Sequence, residues 1–123
     1  MNKYDSKQTV EIRSGDGSAD VYLYMAAIIK SAQHGLTMPN ALELAEKLYV
    51  NVNIFAEENK AKLDSLSALP ASCYDSAIAL ENKRAMFEAN DIFPKGLIDS
   101  VVAKLKAYND QKLSEELYGK NDE

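Results

Sequence analysis

Only one short segment of this 123-residue chain, Thr9 to Arg13, reads as a β-strand, and every later apolar pattern repeats at helical spacing. A lone strand has no ladder partner within its own chain. It must pair with another copy, fray, or be missing its sheet. That constraint leaves an all-α fold, an array of about five helices preceded by one short orphan strand. A chain of 123 residues has room for one core and little else.

The strongest helical pattern runs from Asp20 to His34, where Val21, Tyr22, Met25, Ile28, Ile29 and Ala32 recur on a stripe and Gly35 ends the run. Tyr22 and Tyr24 in that stripe read as packing or as ligand contacts, and packing is the usual role of such aromatics. Pro39 suits the first turn of a second helix, with Leu42, Ala45, Leu48 and Tyr49 facing inward and room to run past Val52. A third covers Ala56 to Leu66, whose Glu57, Glu58, Lys60, Lys62 and Asp64 make a solvated face of mixed charge rather than a metal site. Leu69-Pro70 stops it, because the residue before proline disfavours helical geometry. Ser72 or Asp75 caps a fourth helix, which lines up Ala77, Leu80, Arg84 and Phe87 and ends near Asn90.

Pro94 opens the last long helix, with Leu97, Ile98, Val101, Val102, Leu105 and Tyr108 on its apolar face and Asp99, Lys104 and Lys106 on its charged one. Leu113 and Leu117 support a short extension. The expected organisation is a flexible N-terminus over 1–8, a helical segment over 9–118 and a disordered tail over 119–123.

A hydrophobic content of 46% is normal for a folded protein, and no apolar run is long enough to span a membrane. Met1 to Asp5 lacks the apolar segment of a secretory signal. The single cysteine, Cys73, forms no internal disulfide. It suits a reducing compartment and reads as a small core or helix-start residue rather than a nucleophile. The expected setting is cytoplasmic. A net charge of -5 argues against nucleic acid and anionic membranes as partners.

The chemistry concentrates in Glu11-Ile12-Arg13-Ser14-Gly15-Asp16-Gly17-Ser18. On a strand, Glu11 and Arg13 share one face while Val10 and Ile12 take the other. That face offers a carboxylate for a hard metal ion and a guanidinium for an anion. The same spacing also describes an ordinary surface ion pair, which is common and weak. Asp16 and Ser18 read structurally, as acceptors for free amides at the start of the next helix.

Glu11, Arg13, Gly15, Asp16, Ser18 and Tyr22 together resemble the C-terminal part of the glutamine synthetase catalytic domain. Leu69-Pro70, Ser72, Ala77 and Leu80 resemble a second segment of that family, and Ile98, Leu105 and Lys106 its closing helix. The resemblance covers roughly residues 9 to 110. It implies that Glu11 is a ligand of a catalytic magnesium or manganese ion and that Arg13 faces the substrate glutamate and the transferred phosphoryl group of ATP. It implies as partners the remainder of the catalytic domain and neighbouring synthetase subunits, with a homo-oligomer as a further possibility.

The other carboxylates, phosphate-contacting loop and ammonium site that such a reaction needs are not found in this sequence. The chain is therefore expected to be a fragment that is inactive alone. The alternative is a freestanding helical module that self-associates or binds a synthetase subunit.

Overall fold

The computed structural model describes residues 9–118 and Lys120. The expectations for 1–8 and for 119–123, Lys120 apart, fall outside the described residues. Among the described residues six α-helices form: α1 Val21–Thr37, α2 Ala41–Leu48, α3 Lys60–Asp64, α4 Cys73–Glu88, α5 Lys95–Ala107 and α6 Leu113–Leu117. Short 3-10 turns, Glu57–Asn59 and Ala89–Asp91, precede α3 and follow α4. The all-α architecture holds.

The expected strand does not form. Thr9 to Arg13 has no regular secondary structure, and its backbone makes no backbone hydrogen bond to any described residue. Alternation of side chains sets which way they face, but a strand exists only through its ladder, and among the described residues no second segment supplies one.

The helix ends follow local chemistry. The Asp20 carboxylate accepts from the amides of Tyr22 and Leu23 at 2.9 and 3.0 Å and so caps α1. Gly35 does not stop α1. The helix continues to Thr37, whose hydroxyl donates to the carbonyls of Gln33 and His34. It ends where Pro39 forces Met38 into extended geometry, with ψ at 138°. Ser72, rather than Asp75, caps α4, its hydroxyl accepting from the Asp75 amide at 2.9 Å. α4 gives way to its 3-10 turn at Ala89, where Asn90 and Asp91 take left-handed φ values of 62° and 54°.

The core lies between α4 and α5, the most extensively packed pair. Ala77, Phe93, Ile98 and Val102 are buried there, and Leu80, Phe87, Leu97 and Leu105 pack around them. The Phe87 and Phe93 rings meet edge to face, 5.6 Å between centroids. Two ion-paired contacts lace the same helices together: Arg84 with Asp99 at 2.8 Å and Lys106 with Glu81 at 2.6 Å. α1 lays Ala26 and Ala27 against this core. Its Lys30 is only 9% exposed and donates to the Ala89 carbonyl at 3.2 Å, tying α1 to the end of α4.

Two expectations about α2 and its neighbour need correction. α2 stops at Leu48, with Tyr49 extended, and Leu42, Ala45, Leu48 and Tyr49 are exposed rather than inward-facing. The reason is that, among the described residues, α2 packs its backbone only near α1 and otherwise meets α3 through a single hydrogen bond from the Lys62 side chain to the Lys47 carbonyl, so no second layer covers its apolar stripe. The helix expected over Ala56 to Leu66 is reduced to the 3-10 turn and α3.

Asp110, just beyond α5, accepts from the free amides of Cys73 and Tyr74 at 2.8 and 3.1 Å and caps α4 from 37 and 36 residues away. The Cys73 amide bond holds the Asp110 carboxyl below the usual range, with the Tyr74 amide adding to the effect. Its folded pKa is lowered, so its stabilisation is present near neutral pH and is lost as pH falls through that value. Asp110→Ala is expected to lower the Tm near neutral pH. The gap to the native chain, followed by circular dichroism against pH, should close in acid. Ile98→Ala should cost about 3 kcal/mol by urea denaturation. Leu42→Ala, on the uncovered face of α2, should cost roughly 0.5 kcal/mol or less.

Candidate functional site

Glu11 and Arg13 sit on the irregular segment that runs beside α1. Val10 and Ile12 line a cleft together with Tyr24, Met25, Ile28 and Ile29 of that helix. Glu11 and Arg13 stand in solvent, with side chains 69% and 81% exposed. The two-sided arrangement expected of a strand is therefore present without a ladder.

The two side chains face each other. Arg13 Nε lies 2.9 Å from Glu11 Oε1, and Arg13 Nη2 donates to Oε2 at 3.1 Å. This is the forked geometry a guanidinium uses for a carboxylate, and a guanidinium so shaped can exchange that partner for another carboxylate or a phosphate. At this exposure the pair adds little stability. Glu11 is a suitable hard-oxygen donor for a divalent cation, which takes six or more oxygen ligands. Among the described residues no three His, Cys, Asp or Glu side chains converge as a metal site would need. Of the pair, only Glu11 offers an oxygen donor of the kind a divalent cation prefers.

The turn after Arg13 fixes where the pair sits. Asp16 Oδ1 accepts from the Ser18 amide at 2.7 Å and the Ser18 hydroxyl at 2.6 Å, and the Ala19 amide returns to the Asp16 carbonyl at 3.1 Å. The Ser18 hydroxyl, then its amide, hold the Asp16 carboxyl below its ordinary value. Asp16 and Ser18 thus close a turn on themselves, and Asp20 takes the helix-capping role expected of them. Gly15 lies against Tyr24 so closely that a Cβ there would stand 2.5 Å from the Tyr24 hydroxyl oxygen. That hydroxyl is buried and has no hydrogen-bond partner among the described residues.

Three features escaped the reading of the sequence. Lys30 is buried, although its spacing of three and four from Ala27 and Ala26 already placed it on the inward face. Asp110 caps a helix far from it in sequence, which no local pattern reveals. Tyr24, paired with Tyr22 in the reading, is the one that packs, whereas Tyr22 is exposed. Cys73 opens α4 as expected of a helix-start residue. Hydrogen bonding to Asp110, then burial, push its thiol up and away from the nucleophilic thiolate.

The model of the glutamine synthetase catalytic domain matches residues 1–117. The chain belongs to that family. No curated protein and no solved structure matches it. The family match spans the Glu11 to Ser18 turn, the Leu69-Pro70 segment and α5, the three places that carry the resemblance in sequence.

The Gly15 contact yields a test of how the family's turn is held. Gly15→Ala should push the Tyr24 ring aside and cost on the order of 1 kcal/mol. On a Tyr24→Ala background the same change should cost almost nothing, and chemical denaturation of the four proteins of this cycle reads the difference.

Proposed function

We propose that this chain is a C-terminal helical part of a glutamine synthetase-like ligase, which amidates glutamate with ammonia through γ-glutamyl phosphate using ATP. In this reading Glu11 is one ligand of the magnesium or manganese ion, and Arg13 faces the glutamate and phosphoryl group. The remaining metal ligands and the nucleotide site come from the rest of the catalytic domain, with neighbouring synthetase subunits as further partners. A reducing, cytoplasmic setting suits the lone thiol of Cys73.

The observation that supports this reading is the uncovered apolar layer directly behind the ion pair. Val10 is 90% exposed, and Ile12, Met25 and Ile29 beside it are exposed as well. Apolar faces of this kind mark an interaction surface, and here the surface adjoins the two residues with candidate chemistry. The same surface favours the second reading, a freestanding module that self-associates or binds a synthetase subunit.

One carboxylate binds a divalent ion weakly, and one arginine does not position ATP, so the chain by itself is assigned no turnover. The deciding experiment is an immunoblot of the native gene product with an antibody raised against this chain. A band several times heavier than 13.6 kDa is expected, and a band at 13.6 kDa selects the freestanding module instead. Metal-dependent ATP turnover with glutamate and ammonium that follows the purified chain would overturn both readings.

A further inference from the structure

Lys30 is the one charged side chain buried among the described residues. A buried ammonium is stable when both its charge and its donors are met. Lys30 carries three donors, and one of them has an acceptor in the Ala89 carbonyl at 3.2 Å. That carbonyl, at the end of α4, offers only the partial negative charge of a helix terminus. Among the described residues no carboxylate pairs with Lys30. The Glu88 carboxylate, one residue before Ala89, is turned to Arg84 instead.

Beside this ammonium lies an open pocket of about 190 Å³, between α1 and the turn that follows α4. Lys30 and Ala89 both line it, so their hydrogen bond forms part of its wall. Gln33 and His34 of α1 and Asn90 of the turn add polar lining, and each brings an N–H donor. No Asp or Glu lines the pocket, although acids outnumber bases 19 to 14 in the chain. A buried positive charge with donors on two walls and no acid among them suits an anion.

We infer that this pocket binds a small oxyanion, with a phosphoryl group as its best match: Lys30 supplies the charge, and Gln33, His34 and Asn90 donate to the oxygens. A tetrahedral phosphate presents oxygens in several directions, which fits donors arriving from α1 on one side and from the turn on the other. The lysine acts as a point charge and needs no planar, forked partner. The pocket sits on another face of α1 from Met25, Ile28 and Ile29, which turn to Val10 and Ile12. It therefore uses neither Glu11 nor Arg13, and it leaves the apolar layer to the rest of the catalytic domain. Its walls come from this chain alone, so the inference stands apart from the origin proposed above, and the immunoblot does not read it. A bound anion ties α1 to the end of α4 through a second set of bonds and stabilises the fold.

The test is a titration of the purified chain with inorganic phosphate near neutral pH, followed by amide NMR shifts and by Tm, with sodium chloride at equal ionic strength as the control. Saturable shifts are expected at Lys30 to His34 and at Ala89 and Asn90, with a rise in Tm that chloride does not reproduce. Lys30→Met keeps the buried stem and removes the charge, and it should weaken binding by about tenfold or more, the worth of one charge-assisted hydrogen bond. Asn90→Gly retains the left-handed backbone at this exposed position and should weaken binding severalfold. A parallel titration with glycerol 3-phosphate separates two sources of the same chemistry: tighter binding of the ester assigns the site to the phosphoryl group of a larger molecule, and equal or weaker binding assigns it to the free ion. The absence of saturable shifts in the native chain overturns the proposal. So does an equal response to chloride, or undiminished binding by Lys30→Met; if that variant does not fold, undiminished binding by Asn90→Gly overturns it.

Discussion

The close approach of α4 and α5 around Ala77 is the contact on which the rest of the chain depends. Ala77 is fully buried, and its small side chain lets Ile98 and Val102 of α5 share one core with Phe93 from the intervening connection. Around that apolar centre the polar groups are arranged to hold the same two helices in register. Arg84 reaches Glu88 on its own helix and Asp99 on α5, and the hydrogen bond to Glu88, then that to Asp99, raise its pKa further above an already high value. Lys106 reaches back to Glu81, and Asp110 closes the free amides at the start of α4. Exposed ion pairs contribute little singly. Their role here is to fix the angle and offset at which a small core is buried.

α1 inherits its position from that pair. Ala26 and Ala27 meet the core, and Lys30 satisfies a carbonyl at the end of α4, so one face of α1 is settled by contacts within the chain. A cavity of about 270 Å³ remains between α1 and the α4–α5 pair, walled by Leu23, Tyr24, Leu80 and Phe87 among others, so the helix sits against the core without filling it. Among the described residues, the opposite face has the Thr9–Arg13 segment and α2 beside it. The candidate chemistry therefore hangs from a helix that is packed on one side and open on the other.

What could be read in the sequence divides along the same line. The stripes of α4 and α5 were legible because a 3.6-residue period is a local signal and each stripe found a partner within the chain. The start of α4 was legible as a cap at Ser72 or Asp75, because the Leu-Pro before it stops one element and a polar side chain opens the next; that Ser72 is the one that caps follows from the structure. The inward face assigned to α2 was not borne out, because periodicity shows that a face needs cover and not that the chain provides it. The strand over Thr9–Arg13 fails for the same reason: alternation was visible in Val10, Glu11, Ile12 and Arg13 and survives in the structure, but ladder formation depends on a second segment. At the candidate site, the shared face of Glu11 and Arg13 followed from their spacing. The pressure of Tyr24 on Gly15 and the capping of α4 by Asp110 depend on tertiary contacts that no local window contains.

These features connect the order of the candidate site to its cover. Among the described residues, Val10 and Ile12 lie against the outer face of α1, and Glu11 and Arg13 project from the same short segment on the other side. Anything that buries Val10 and Ile12 must also fix the backbone between them, and that backbone is what aims the carboxylate and the guanidinium. Cover by a sheet from the rest of a catalytic domain would present Glu11 and Arg13 outward as independent groups, free to take a metal ion and an anionic substrate. The chemistry open to this chain is thus decided on the apolar side of a five-residue segment, by what lies against Val10 and Ile12, before either charged residue meets a ligand.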